Sequence, residues 1–154
     1  MSWQGKILRV DLTKGTATPE DLNMDWAHAY LGERGLATKY LWESMDPAAD
    51  PLGPDNVLIF ATGPLNGTMA STSGRYAVVT KGPLTGAIAC SNSGGKFGAE
   101  LKYAGYDLLI VHGKADKPVY LKIYDDEVEI LPADEIWGTT VWHTEEWLKG
   151  HHQE

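Results

Sequence analysis

Residues 63–95, GPLNGTMASTSGRYAVVTKGPLTGAIACSNSGG, contain two related halves that decide the fold. The motif GPLNG at 63–67 recurs as GPLTG at 82–86, and TSG at 72–74 recurs as NSG at 92–94. Between the halves, residues 75–80 are of types that favour strands. We predict two strand-and-turn units that return to the same edge of one sheet, with their polar, glycine-bearing loops side by side. Each GPLxG motif alone is also typical of an ordinary tight turn.

Outside this stretch, the hydrophobic periodicity predicts an α+β domain that is β-rich, with mainly antiparallel sheets and a few short helices. A hairpin turns at residues 13–15, and proline ends a helix at Pro47. An earlier helix is expected to be capped by Asp25 and to end at a left-handed Gly32. The remaining elements are strands at 57–62, 108–111, 119–124 and 128–131, a helix from Phe97 to Gly105, and a weaker helix at 140–148.

Composition excludes several classes of protein. The 154 residues carry a net charge of −8, and 43% are hydrophobic, as expected of one globular domain. The acidic balance argues against a nucleic-acid binder. A single cysteine, Cys90, excludes an internal disulfide and any four-cysteine cluster held by this chain alone.

The same features predict where the protein resides. The apolar runs are far shorter than the ~18–20 residues that cross a bilayer, and the N-terminus lacks the apolar region of a secretory signal. We therefore expect a reducing, cytoplasmic location. The end of the sequence, KGHHQE, supplies no further strand, so we also expect the domain to continue beyond it.

The polar turn at the end of the second half is a candidate anion site. Asn92, Ser93, Gly94 and Gly95 precede a predicted helix, whose first backbone N–H groups have no intrahelical partners. Glycine allows a ligand to approach the backbone closely, and phosphate is the expected guest. The pattern is neither a P-loop nor a dinucleotide fingerprint, and an ordinary helix start remains an alternative.

Two further side chains lie near this turn in the sequence. Arg75 follows the first TSG, so we expect it at the same edge, where its planar fork suits a phosphate or a flat heterocycle. A solvated strand arginine is the alternative. Cys90 is expected to be a small buried hydrophobic residue rather than a nucleophile, because no histidine lies near it in the sequence.

Collinear motifs run through nearly the whole chain and resemble the N-terminal domain of the tungsten-dependent aldehyde ferredoxin oxidoreductase family. The matching stretches are residues 5–13 (GKILRVDLT), 31–37 (LGERGLA), 45–47 (MDP), 50–52 (DPL), 61–65 (ATGPL), 72–76 (TSGRY), 79–81 (VTK), 83–86 (PLTG), 92–95 (NSGG), 97–102 (FGAELK), 104–107 (AGYD) and 113–115 (GKA). Their length and order make a chance match implausible.

The resemblance implies a function for the whole protein. Members of the family hold tungsten through the dithiolenes of two pterins and oxidise aldehydes to carboxylic acids. The electrons pass through a [4Fe–4S] cluster to ferredoxin. The resemblance further implies that residues 1–154 form most of a β-rich, tungstopterin-binding N-terminal domain. In the family, later helical domains supply the cluster cysteines and the aldehyde pocket.

The resemblance also implies roles for individual residues. Arg75 matches the arginine that contacts the pterin. Asn92 matches an asparagine whose backbone carbonyl helps hold a magnesium ion bridging the two pterin phosphates, and Gly94 matches a glycine of the same contact. Ser93 and Gly95 are then neighbours of the ligand. The chain lacks the family's second glycine- and arginine-rich loop and the cluster cysteines, so no catalytic residue is assigned to it.

Three functional hypotheses follow. The chain is the cofactor-binding part of an aldehyde ferredoxin oxidoreductase and is inactive alone, with the remaining domains or subunits, ferredoxin and an aldehyde as partners. Alternatively, it is a free-standing module that binds a pterin phosphate or another anion. The third hypothesis is a folded fragment without activity, whose exposed sheet edge favours association.

Overall fold

A six-stranded sheet with the order β2-β1-β6-β3-β4-β5 forms the centre of the protein, in a computed structural model that describes residues 3–152. Neighbouring strands are antiparallel except β1 and β6. Its strands are β1 Lys6–Asp11, β2 Thr16–Asp21, β3 Val57–Thr62, β4 Tyr76–Lys81, β5 Ile88–Ser93 and β6 Leu108–His112. A separate hairpin pairs β7 Val119–Tyr124 with β8 Glu127–Pro132. The predicted α+β, mainly antiparallel fold is confirmed.

Helices cover both faces of the large sheet. Residues 3–152 form four helices, α1 Met24–Tyr30, α2 Glu33–Ser44, α3 Phe97–Tyr103 and α4 Val141–His151. On one face α2 packs on β3 and β4, where Leu36 and Leu41 lie in one core cluster with Ile59 and Val79. On the other face, a second cluster joins Leu101 of α3 to β1 and β6. No helix within residues 3–152 is long and apolar enough to cross a membrane.

The junction between α1 and α2 differs from the prediction. Asn23, not Asp25, caps α1, because its Oδ1 accepts the backbone N–H of Trp26 at 3.0 Å. The left-handed residue is Leu31 (φ 65°), and Gly32 is extended. Gly32 is required for space instead: a Cβ there would lie 2.9 Å from the carbonyl oxygen of Thr62. The glycine lets this junction approach the end of β3.

The two related halves do not place all their loops at one end of the sheet, contrary to the prediction from the sequence. Because β4 runs antiparallel to both β3 and β5, successive turns alternate between the two ends of the sheet. The loop at 63–75 and the turn at 94–96 therefore share one end, while the GPLTG turn at 82–86 lies at the other. The TSG and NSG motifs meet as predicted, and the side-by-side placement of the two GPLxG motifs is wrong.

Candidate functional site

Arg75 lies immediately before β4, at the end of the sheet where the 63–75 loop and the 94–96 turn meet. We call this end of the sheet the rim. Its side chain is exposed, and its guanidinium has no hydrogen-bond or ion-pair partner among residues 3–152. A free guanidinium presents donors in a planar fork that matches phosphate or carboxylate oxygens. Arg75 is therefore a cation without a structural partner in the part of the chain described.

The turn at 92–95 lies beside Arg75. Tyr76 pairs with Ser93 and Ala77 pairs with Asn92 in the β4–β5 ladder, which brings Gly94 and Gly95 next to residues 74 and 75. A Cβ built on Gly74 would lie 3.8 Å from the carbonyl oxygen of Gly95. A Cβ on Gly94 or Gly95 would meet nothing within 4 Å, so the turn faces open space. The structure thus brings together all five sequence-predicted site residues, Arg75, Asn92, Ser93, Gly94 and Gly95.

The backbone carbonyl of Asn92 points away from the sheet. The N–H of Gly82 donates to the carbonyl of Ala87 at 2.9 Å, which fixes the alternation of hydrogen-bonded pairs along β5. By that alternation Ser91 and Ser93 bond to β4, whereas the backbone groups of Asn92 face outward. Since β5 is the edge strand within residues 3–152, the Asn92 carbonyl oxygen is available to an external cation.

The helix that follows the turn contributes less than the sequence suggested. α3 has seven residues, and its N-cap Lys96 makes no side-chain capping bond. Glu100 places a negative charge in the first turn. A short helix has a limited macrodipole, so the cationic groups near the turn are the side chains of Arg75 and Lys96 rather than the helix start.

Asn66 holds the backbone that carries Arg75, and sequence analysis did not identify this role. Its side chain is 3% exposed, and its Nδ2 donates to the carbonyl oxygen of Arg75. Its Oδ1 is buried and has no hydrogen-bond partner among residues 3–152. A Cβ on Gly98 would lie 2.9 Å from that Oδ1, so α3 needs glycine there. The signal was present in the sequence, because GPLNG has Asn66 where GPLTG has Thr85.

A buried ion pair lies at the same end of the sheet. The Lys102 ammonium is 2.7 Å from Oδ1 of Asp107, and both side chains are at most 3% exposed. The backbone N–H of Gly5 donates to Oδ2 of Asp107, and the Thr62 hydroxyl donates to its carbonyl. Asp107 therefore joins β1, β3 and α3 beneath the rim, which is a structural role that sequence analysis also missed.

Other chemistry-bearing residues lie away from the rim or on open surface. Cys90 is exposed on β5, so its predicted burial is wrong: α2 covers β3 and β4 but does not extend over the edge strand. A cleft of about 1080 Å³ lies at the opposite end of the sheet beside Asp11 and His112. A pocket of about 400 Å³ adjoins the 63–75 loop. Within residues 3–152 no three His, Cys, Asp or Glu side chains form a metal-binding group.

Comparison with known proteins gives consistent matches. Residues 7–154 match the family described as "Aldehyde ferredoxin oxidoreductase, N-terminal domain". The tungsten-containing aldehyde ferredoxin oxidoreductase of Pyrococcus abyssi is 58% identical over 145 residues, which cover 94% of this chain and 24% of that protein. An aliphatic sulfonate oxidoreductase, WOR-like subunit, of Pyrococcus furiosus is 39% identical, over 89% of this chain and 22% of that protein.

A solved structure is similar throughout this chain. It is the active-site complex BamBC of benzoyl coenzyme A reductase with 1,5-dienoyl-CoA, with a TM-score of 0.94 and 41% identity over 97% of this chain and 23% of that one. The chain thus spans about a quarter of the length of each of these three proteins.

Proposed function

The chain belongs to the aldehyde ferredoxin oxidoreductase N-terminal domain family, and from this membership we propose that its sheet rim binds part of a tungstopterin cofactor. The proposed ligand-binding residues are Arg75, Asn92, Ser93, Gly94 and Gly95. The full-length protein that we propose is an oxidoreductase that converts aldehydes to carboxylic acids and passes electrons to ferredoxin. Residues 1–154 then constitute most of its N-terminal domain, and we propose a cytoplasmic location.

The donor set of the rim fits the phosphates of a pterin cofactor. Arg75 supplies a bidentate donor that no described residue occupies, and the open turn at Gly94 and Gly95 lets phosphate oxygens approach backbone N–H groups. Two neighbouring phosphates repel each other, so a site for both needs a bridging cation. The outward carbonyl oxygen of Asn92 is the kind of hard ligand that magnesium prefers.

The role of this chain is binding and orientation. When bound, the tungsten centre would supply the two-electron redox chemistry, and the proposed [4Fe–4S] cluster would be held outside this chain, which has one cysteine. Arg75 would fix the phosphate end of the cofactor, and Asn66 would fix the backbone of Arg75. The observation that supports the proposal is that Arg75, whose guanidinium has no partner among the described residues, lies beside the glycine turn at one end of the sheet.

Cofactor loading of a full-length protein tests the proposal. In a chimera, this chain replaces the corresponding quarter of the Pyrococcus abyssi relative, and tungsten per polypeptide is measured by elemental analysis. Arg75→Gln and Gly94→Val should each lower the tungsten content. The control is Lys14→Gln, because Lys14 pairs with Asp11 at the other end of the sheet. Unchanged tungsten in both rim variants would show that the site is misplaced.

A second candidate function is a free-standing module that binds a phosphate-bearing ligand. It is favoured by one observation: Arg75 and the glycine turn are assembled entirely within this chain. Binding of a phosphomonoester by the isolated chain, with no gain of tungsten by the chimera, would select this alternative. If the isolated chain binds no phosphomonoester and the chimera gains no tungsten, the third hypothesis, a folded fragment without activity, is favoured.

A further inference from the structure

The two edges of the large sheet are built differently. The outer strand β2, TATPED, carries Pro19, Glu20 and Asp21, which are residue types that discourage pairing with another strand. The opposite outer strand β5, IACSNS, has no charge and no proline, and residues 82–95 contain no Asp, Glu, Lys or Arg. A solvent-exposed edge of this kind is a template for strand addition.

The side chains of β5 are left uncovered on both faces. All six residues are exposed, whereas their β4 partners Ala77 and Val79 are fully buried beneath α2. At the start of β5, Ile88 is 46% exposed and borders an apolar groove of about 200 Å³ with Leu41 and Trp42. Trp42 is itself 66% exposed. The edge therefore combines free backbone groups with a pocket for one apolar side chain.

The alternation of hydrogen bonds in β5 identifies the free backbone groups. Because Ala89, Ser91 and Ser93 bond to β4, the N–H and carbonyl groups of Ile88 and Cys90 face outward. The outward groups of Asn92 lie next along the edge, beside the glycine turn. A strand bonded to Ile88 and Cys90 leaves the Asn92 carbonyl free for a cation.

We propose that β5 pairs with an extended strand supplied by the three-quarters of the family polypeptide that lie outside the matched region. This strand carries an apolar side chain that fills the groove beside Trp42 and Ile88. The argument rests on family membership and on the unprotected edge, and it does not depend on the cofactor site. The chain spans 24% of the Pyrococcus abyssi relative, so about three-quarters of that polypeptide lies outside the matched region and is the proposed source of the strand.

A second copy of this chain fits the edge less well. Two β5 strands paired antiparallel about a two-fold axis at Cys90 would place the apolar Ile88 of one copy opposite the polar Asn92 of the other, because outward-facing residues pair with each other. Each copy also carries a net charge of −8, which opposes close association. The edge is thus complementary to a strand that is apolar near Ile88 and polar near Asn92.

Cys90, the single thiol of the chain, reports on this edge directly. We compare two quantities between the isolated chain and the full-length chimera described above. The first is the rate of alkylation of Cys90 in the native protein, measured by peptide mass spectrometry. The second is the rate of deuterium uptake at residues 88–93. We expect both to fall at least about tenfold in the chimera. Ile88→Lys should restore both in the chimera and leave the thermal midpoint of the isolated chain unchanged.

Because the chimera could misfold, the same measurement is made on a second protein. A cysteine placed at the aligned position of the intact Pyrococcus abyssi enzyme should be equally protected. Equal reactivity of Cys90 in the isolated chain and in the full-length protein would overturn the proposal. So would protection in the isolated chain accompanied by a dimeric mass in light scattering, because the occupant would then be a second copy. Neither result depends on phosphate or tungsten binding.

Discussion

Two cations at the same end of the sheet have opposite surroundings. Lys102 is buried, and its ammonium contacts the Asp107 carboxylate at 2.7 Å. Arg75 is exposed and has no partner among residues 3–152. A buried charge is tolerated only when it is paired, whereas an exposed charge can stay unpaired until a ligand arrives. Lys102 thus belongs to the fold, and Arg75 is available for function.

Removing the buried cation should produce the largest loss of stability. Lys102→Met leaves the Asp107 carboxylate buried without its counter-ion, so we expect the free energy of unfolding to fall by about 3–5 kcal/mol. Urea denaturation measures the change. The exposed Lys96→Met is the matched control, with an expected change within about 0.5 kcal/mol. Equal stability of the two variants would remove the distinction between the cations.

Truncating Asn66 should affect both regions. Asn66→Ala removes the bond to the Arg75 carbonyl and empties a buried site, so we expect a loss of about 1–3 kcal/mol in urea denaturation. Phosphomonoester affinity should fall as well, because the backbone beneath Arg75 is released. Leu84→Ala, in the other GPLxG loop, is the control because Leu84 is 96% exposed. An unaltered phosphomonoester affinity in Asn66→Ala would show that Asn66 does not position Arg75 for binding.

Two buried tyrosines test how much pairing matters for a neutral polar group. The hydroxyl of Tyr40 accepts the N–H of Asn23 at 2.9 Å, whereas the buried hydroxyl of Tyr106 has no hydrogen-bond partner in the part of the chain that the structure describes. Tyr40→Phe should therefore cost about 1–2 kcal/mol, and Tyr106→Phe should be neutral or stabilising. Urea denaturation of the Tyr40→Phe and Tyr106→Phe variants measures the two changes in the free energy of unfolding. A larger loss for Tyr106→Phe would contradict the assignment of its hydroxyl.

The same tyrosines predict an alkaline limit of stability. Burial raises the pKa of Tyr40 and of Tyr106 above the ordinary value of about 10. Since the folded state retains these protons longer than the unfolded state does, their contribution is complete below about pH 10 and is lost as the pH rises further. Denaturation midpoints on either side of pH 10 check the direction. Tyr106→Phe should reduce the loss.

The sequence predicted much of the fold and the family, and both are confirmed. The hairpin of β1 and β2 and the helix ending before Pro47 follow from local turn and proline chemistry. The placement of the GPLTG turn failed because a local repeat does not specify strand direction. The predicted burial of Cys90 failed for a related reason: a lone cysteine is usually a small buried residue, but its position on the edge strand is a tertiary property.

The site shows the same division. Motif resemblance led to the prediction of Arg75 and Asn92 as ligand-binding residues, and both lie at one end of the sheet. It did not reveal that Asn66 fixes the backbone of Arg75 or that Lys102 pairs with Asp107, because both contacts join residues whose relation is set by packing. These supporting contacts become visible only when the elements are assembled.

The central claim is that Arg75, which has no partner within the described part of the chain, forms a phosphate site with the adjacent glycine turn. The most direct test is an NMR titration of the isolated, ¹⁵N-labelled chain with a phosphomonoester and magnesium. We expect shifts confined to the Arg75 Nε–H and the amides of Gly94 and Gly95. Arg75→Gln should weaken binding about 10- to 100-fold without changing stability. Shifts centred on the cleft beside Asp11 and His112, or equal affinity in Arg75→Gln, would contradict the claim.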